Sequence, residues 1–577
     1  MNTRNETDLM DKIRRAASAR AQGNVLETET LCKQVLESEP GNPECNHMIG
    51  TLLLEKQQYR EARIHLELAL RSRPAHPGIL TALGNVYFLT GDWNACIACY
   101  QTLHASGNIG TFTSLNLATA LINTKDLTAA AVVLERALTS YPDDSGLWNV
   151  YGDVLNRQHR DKDAEAAFQR AMKLAPGNPD IRANLALLYE QSNKLEEAEN
   201  LAQSGLKQHP AHASLILTAA RCLRRRKHYR DALSLLDRMT KDADLRFMRA
   251  AEFERGWIYD ALDDIDQAYA HFKRGNLLAY EIRPESVSGG QQYQKEVNEL
   301  VDKFKQDDFL ERLAVNAKDE NYSGQSPVFL LGFLRSGTTL MDTILQSSPN
   351  VAVLEEEPTL DALIQYSQSL PGGYPSCLAA TTNTQRAELR SLYWNTVNGI
   401  YGANPAGKML IDKQPLNSIN VPLLFTIFPN APILFALRHP CDVILSCFMQ
   451  MFGTSNAHIN FTSLEGAAVI YTSFMQAWQH YVKNLPLRYR YLRYEDLVQD
   501  EINTLRSALD FLGLQYLSGT KHSEIARRRG RIYTPSYHQV IQPIYRSAVN
   551  RWHRYRKYFD DTLPVLRPFI DYFGYEV

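Results

Sequence analysis

No stretch of this 577-residue chain is long and oily enough to span a bilayer: the most apolar region, 421–437, is broken by Pro422, Pro429, Asn430 and Pro432. Neither sign of charge dominates. There are 62 Lys and Arg against 64 Asp and Glu, a balance that argues against bulk nucleic-acid binding while leaving room for a local basic pocket. Cysteine is scarce. The eight, at 32, 45, 96, 99, 222, 377, 441 and 447, form no even framework and no paired metal-ligand spacing. Cys96 and Cys99 make a CxxC, but both fall on a helix of a repeat and are expected to pack in its core. The opening MNTRNETDLMDKIRRAAS has no apolar signal core. These absences predict a cytoplasmic protein in a reducing compartment, without a metal, whose residues 1–8 are disordered.

What the chain does have is a period of 34. Small residues recur at Ala62, Cys96, Ala130, Ala164, Ala198 and Ala232, and a second column holds Gly50, Gly84, Ala118, Gly152, Ala186 and Ala220. Prolines keep the step at 40, 74, 142, 176 and 210, with one slot missed. Small residues let two helices approach closely, Phe168 fills the gap beside Gly152 and Ala164, and Pro176 ends the second helix. Trp148, Gly152, Ala164, Phe168, Ala171 and Pro176 resemble the tetratricopeptide (TPR) pattern. About eight such repeats are expected over 9–282, an all-α solenoid whose concave face binds a peptide or partner chain. The basic run RCLRRRKHYR (221–230) reads as a solvated helix end, with docking of an acidic partner as the alternative.

The pattern changes after 282. Residues 283–325 read as a helical linker. Beyond Pro327, apolar runs alternate with helical ones: strands at 328–332, 409–411, 432–437 and 489–493, a short strand before Glu355, and helices at 339–347, 418–428, 441–450 and 499–513. That is the rhythm of an α/β domain with a parallel sheet, over 326–577.

Its first strand runs into FLLGFLRSGTTLMDTILQSSPN (329–350). Gly332 and Gly337 stand five apart, as in the phosphate-cradling P-loop G-x-x-x-x-G-K-[ST], but Thr338 occupies the lysine position and Arg335 sits inside the loop. Backbone N–H groups at the start of the following helix prefer an anion. Without the lysine, and with no convincing acidic metal ligand at a strand end, the loop suits a group carrying less charge than a terminal phosphoryl. A sulfuryl group fits.

Four motifs in order then carry a resemblance. GFLRSGTTL resembles the 5′-phosphosulfate loop of sulfotransferases that use 3′-phosphoadenosine 5′-phosphosulfate (PAPS). LFALRHPCDVILSCF (434–448) looks like their 3′-phosphate motif, RYLRYEDLVQDEINTLRSALDFLGL (490–514) like their Y-E-D-L segment, and SYHQVIQPIYRSAVNRW (536–552) like the segment that closes over the nucleotide. With the repeats, the chain resembles the bacterial TPR-containing sulfotransferases, and its C-terminal half resembles the tyrosylprotein sulfotransferases. The resemblance implies a sulfotransferase fold using PAPS as co-substrate and no metal. It assigns Arg335, Ser336, Gly337, Thr338, Thr339, Arg438, Ser446, Tyr494, Ser536 and Arg551 to the donor nucleotide. It implies transfer to a hydroxyl acceptor such as a protein tyrosine, a saccharide or another alcohol, and is compatible with a homodimer.

For the chemistry, the resemblance puts the general base 21 residues after the loop arginine, at Glu356, with Glu355 and Glu357 as alternatives. Lys413, in D-K-x-P, aligns with the catalytic lysine that stabilises the leaving oxygen, and Arg335 with the group that steadies the sulfuryl oxygens. No histidine between the loop and Arg438 offers itself as a base, and His439 faces elsewhere on the strand alternation. Two other readings stay open: a TPR scaffold whose second domain binds nucleotide without turnover, and a small-molecule kinase, against which the missing loop lysine speaks.

Overall fold

The 34-residue period becomes helix pairs. The structure, a computed structural model, describes residues 2–577 except 108–109, 241, 307, 319–321, 323, 347, 402–406 and 516–547. The chain divides into two units, 1–222 and 223–577. In the first, antiparallel pairs run from Asn2–Ala21 and Val25–Ser38 to Pro179–Gln191 and Leu195–Gln208. Ala62, Cys96, Ala130, Ala164 and Ala198 have no exposed surface. A Cβ added to Gly152 would stand 2.7 Å from the Phe168 ring, so the small-residue column is a contact requirement. Cys96 and Cys99 are buried free thiols, which burial pushes up to about 12 and about 11. The first helix starts at Asn2, where the polar run led us to expect disorder; residues 2–8 hold no Pro or Gly to stop a helix anchored by buried Leu9 and Ala16.

One periodic feature had no sequence signal. Gly23, Gln57, Gly91, Lys125, His159 and Asn193, each 34 after the last, turn between paired helices with φ of +60° to +77°. Glycine and asparagine favour that left-handed region; glutamine, lysine and histidine accept it because the helices on either side are already fixed.

The second unit is built on a five-stranded sheet: β1 (Val328–Gly332), β2 (Val351–Glu355), β3 (Met409–Lys413), β4 (Ile433–Leu437) and β5 (Tyr489–Arg493). The order is β2-β3-β1-β4-β5, and every pairing is parallel. Both sheet faces are covered, which explains the unbroken apolar runs of β1 and β4. Phe329, Leu331, Ile433 and Phe435 enter one core, where Trp478 of the Leu464–Asn484 helix stacks on Phe435 at 3.9 Å. Val328, Leu330, Leu434 and Ala436 enter the other, against the Thr338–Leu345 and Glu501–Leu512 helices. Pro422 at the start of Val421–Ile427 separates that helix from the 3₁₀ turn Pro415–Asn420, so the helix expected over 418–428 is two elements. Residues 283–325 contribute the helices Ser286–Phe304 and Phe309–Lys318. Among the described residues no helix is long and apolar enough to cross a membrane.

Candidate active site

Strand order sets the site. From β1 the chain moves outward to β2 and returns through β3; it then crosses to β4 on the other side. The direction reverses between β1 and β4, and open α/β sheets bind ligands at the carboxyl ends of such a pair. The Gly332–Thr339 loop and Arg438 lie at those two ends.

The loop is shaped by its glycines. Gly332 has φ +149°, and a Cβ there would sit 2.7 Å from the Ala436 carbonyl oxygen. Gly337, at φ +91°, precedes the Thr338–Leu345 helix, and a Cβ there would sit 2.6 Å from Cδ2 of Tyr494. No side chain caps this helix, so the N–H groups of Thr338 and Thr339 have no partner within it. Arg335 is also left-handed, at φ +65°, which for a non-glycine costs about 1 kcal/mol. Its Nε donates to Ser446 Oγ at 3.0 Å. Ser336, Thr338 and Thr339 of the loop are buried.

Arg438 joins the parts. It is 8% exposed. Nη1 donates to the Arg335 carbonyl at 3.2 Å and Nη2 to the Ala548 carbonyl at 2.6 Å, and the guanidinium lies 4.7 Å over the Tyr494 ring. Its Nε is buried without a hydrogen-bond partner among the described residues. A buried donor left over beside a glycine loop and an uncapped helix start is what an anionic ligand would complete. The residues therefore fit the phosphates of the expected donor.

One strand over, Lys413 has no exposed surface. Its Nζ is 2.8 Å from Glu356 Oε1 and 3.5 Å from Asp342 Oδ2. Asp342, on the helix that follows the loop, is fully buried. Glu356 is the exposed end of this trio, its side chain about a third accessible. It is held just past β2, where its N–H donates to the Lys413 carbonyl at 2.7 Å and φ is +53°. Glu356 thus reaches the lysine. Glu357 is partly buried, and loss of solvent pushes its carboxyl up. Asp412 points to the opposite side of β3 from Lys413, where Thr359 (2.8 Å) and Tyr393 (3.0 Å) donate to it. Burial pushes it up to about 6.

The structure thus gathers Arg335, Ser446, Arg438 and Tyr494 around the loop, and Lys413 with Glu356 beside it. Arg551 is not among the loop contacts: it is ion-paired with Asp260 and lies 5.1 Å over Trp257. Ser536 lies outside the described residues. His439 is committed elsewhere, its Nε2 on the Glu576 carbonyl (2.8 Å) and its ring stacked on Trp552; burial holds it toward its neutral form. Two residues escaped the sequence reading. Asp342 looked like one polar position of an amphipathic helix. Asp442 is buried and accepts from the N–H groups of Asn550 (2.8 Å) and Trp552 (2.9 Å), a link across more than a hundred residues that no local pattern signals.

Residues 327–518 match the pattern described as "Sulfotransferase family". That region is similar to the sulfotransferase family. Ahead of it, residues 47–98 match the tetratricopeptide repeat and 119–225 the "PRP39 C-terminal HAT repeat". The chain is 24% identical over 269 residues to the "Protein-tyrosine sulfotransferase" of Drosophila melanogaster, covering 44% of this chain and 50% of that one. It is 26% identical over 267 residues to an uncharacterized protein of Aquifex aeolicus, 45% of this chain and 34% of the other. It is also 26% identical over 182 residues to mouse "Protein O-mannosyl-transferase TMTC1", 32% and 16%. The chain spans half or less of each of these relatives. Among solved structures, the TPR protein YrrB is 17% identical with a TM-score of 0.29, covering 32% of this chain and 95% of that one. MamA of Desulfovibrio magneticus RS-1 is 18% identical with a TM-score of 0.28, covering 30% and 96%.

Proposed function

We propose that the 326–577 region moves a sulfuryl group from PAPS to a hydroxyl, and that the repeats recruit the acceptor or a partner chain. The observation that carries this reading is the Lys413–Glu356 pair, 2.8 Å apart, beside a glycine loop that has an arginine and no lysine. The loop amides, Arg335, Thr338 and Thr339 would hold the phosphosulfate end of the donor. Arg438 and Ser446 would take its 3′-phosphate, with Tyr494 on the adenine and Ser536 as a further phosphate ligand, while Arg551 stays on Asp260. Glu356 takes the proton of the acceptor hydroxyl as its oxygen bonds to sulfur. The bond from sulfur to the 5′-phosphate oxygen breaks in line, and charge gathers on that oxygen and on the sulfuryl oxygens. Lys413 and Arg335 stabilise it; one such donor is worth on the order of 3 kcal/mol of barrier. Once Glu356 is protonated, Asp342 remains as the counter-ion of Lys413.

The test is Glu356→Gln. It should bind adenosine 3′,5′-bisphosphate as the wild type does while ³⁵S transfer from labelled PAPS onto cell-extract acceptors is lost. An unchanged transfer rate would remove Glu356 as the base.

A further inference from the structure

The hairpin Leu245–Ala261 and Ile265–Ile282, which the repeat period reads as the last repeat, lies in the second unit and grips the segment that begins at Ala548. Asp260 is 6% exposed. Its carboxylate accepts from Arg551, from Arg554 Nη1 at 3.1 Å and from the Tyr555 hydroxyl at 2.8 Å. Its carbonyl accepts from Arg554 Nη2 at 2.8 Å, and Arg554 also reaches Asp263 at 2.7 Å.

The other end of the segment is fastened to the loop side. The Ala548 carbonyl accepts from Arg438, and the Asn550 and Trp552 N–H groups donate to Asp442. Ala548 also packs with Tyr494 and Val498. Between Ala548 and Tyr555 the chain therefore passes from the candidate donor pocket to one buried carboxylate. An exposed ion pair would hold such a segment weakly. Asp260 is buried and binds three donors at once, so removing its charge takes the carboxylate from Arg551 and leaves Arg554 with the exposed Asp263.

Resting on the donor reading above, we propose that Asp260 is a positioning residue for the donor nucleotide. It fixes residues 548–555 against Arg438 and so ties nucleotide binding to the helical hairpin 245–282. The hairpin is then a working part of the donor site.

The test uses the full chain and adenosine 3′,5′-bisphosphate. Asp260→Asn should raise its Kd about tenfold, and Asp260→Glu should recover most of the loss. Asp266→Asn, which cuts the exposed contacts of the same hairpin with Lys557 and Tyr558, should leave Kd unchanged. In the wild type the nucleotide should slow amide exchange within 245–261, and Asp260→Asn should abolish that slowing. If Asp260→Asn does not fold, Arg554→Gln, on the partly exposed side of the cluster, should weaken binding about threefold. Wild-type affinity in Asp260→Asn or Arg554→Gln, equal weakening by Asp266→Asn, or exchange that ignores the nucleotide would each overturn the assignment. A wild type that binds no nucleotide would overturn the donor reading, and this inference with it.

Discussion

Lys413→Met strips the positive charge from a trio in which two members have no exposed surface. Asp342 would be left buried 3.5 Å from where the ammonium stood. At an effective dielectric constant of about 20, a unit pair at that distance attracts by roughly 5 kcal/mol. Desolvation offsets part of this, and removing one partner of a buried pair typically costs about 3–5 kcal/mol. The Glu356 side is a third exposed and adds at most about 1 kcal/mol. Urea unfolding of the variant should therefore show a loss of about 3–5 kcal/mol. Lys413→Met/Asp342→Asn should regain about 2–3 kcal/mol of it, because the buried negative charge that faced the ammonium is gone. Sulfuryl transfer should stay at least about a hundredfold down in both, since stability returns and the catalytic charge does not. A cost below about 1 kcal/mol, additive behaviour of the two substitutions, or transfer restored in the double variant would refute this reasoning.

Three further outcomes follow from the same geometry. Gly332→Ala meets the Ala436 carbonyl oxygen at 2.7 Å and a φ of +149°, and should cost about 2–4 kcal/mol of stability; an unchanged thermal midpoint would contradict it. Gly337→Ala pushes on the Tyr494 ring and should weaken adenosine 3′,5′-bisphosphate about tenfold by titration; unaltered affinity would show that ring to be irrelevant to the donor. Asp412 is raised from 3.8 to about 6 in the fold. The folded protein thus keeps a proton that the unfolded chain has released, and stability falls as pH rises from about 4 to 6, by up to about 3 kcal/mol. The stability of Asp412→Asn relative to wild type should climb by that amount over the same window, and a flat difference would refute the buried-acid reading.

The parts legible in the sequence were those written locally. β1 and β5 fall where their apolar and aromatic runs put them, at 328–332 and 489–493, and the repeat columns are buried as their spacing demanded. The loop was legible because two glycines at that spacing leave few backbone solutions. Asp342 was not, because its burial comes from packing of its helix onto the sheet beside β3. Asp260 and Arg551 are 291 residues apart, and each alone reads as a solvated charge. The 34-residue recurrence of left-handed turns was hidden for a different reason: tertiary fixation, rather than residue preference, sets the backbone there.

The most direct test is a crystal of the full chain soaked with adenosine 3′,5′-bisphosphate. The account predicts one phosphate against the amides of Gly337 to Thr339 beside Arg335, and the other on Arg438 and Ser446. A well-ordered nucleotide bound away from Arg335, Thr339 and Arg438 would contradict it.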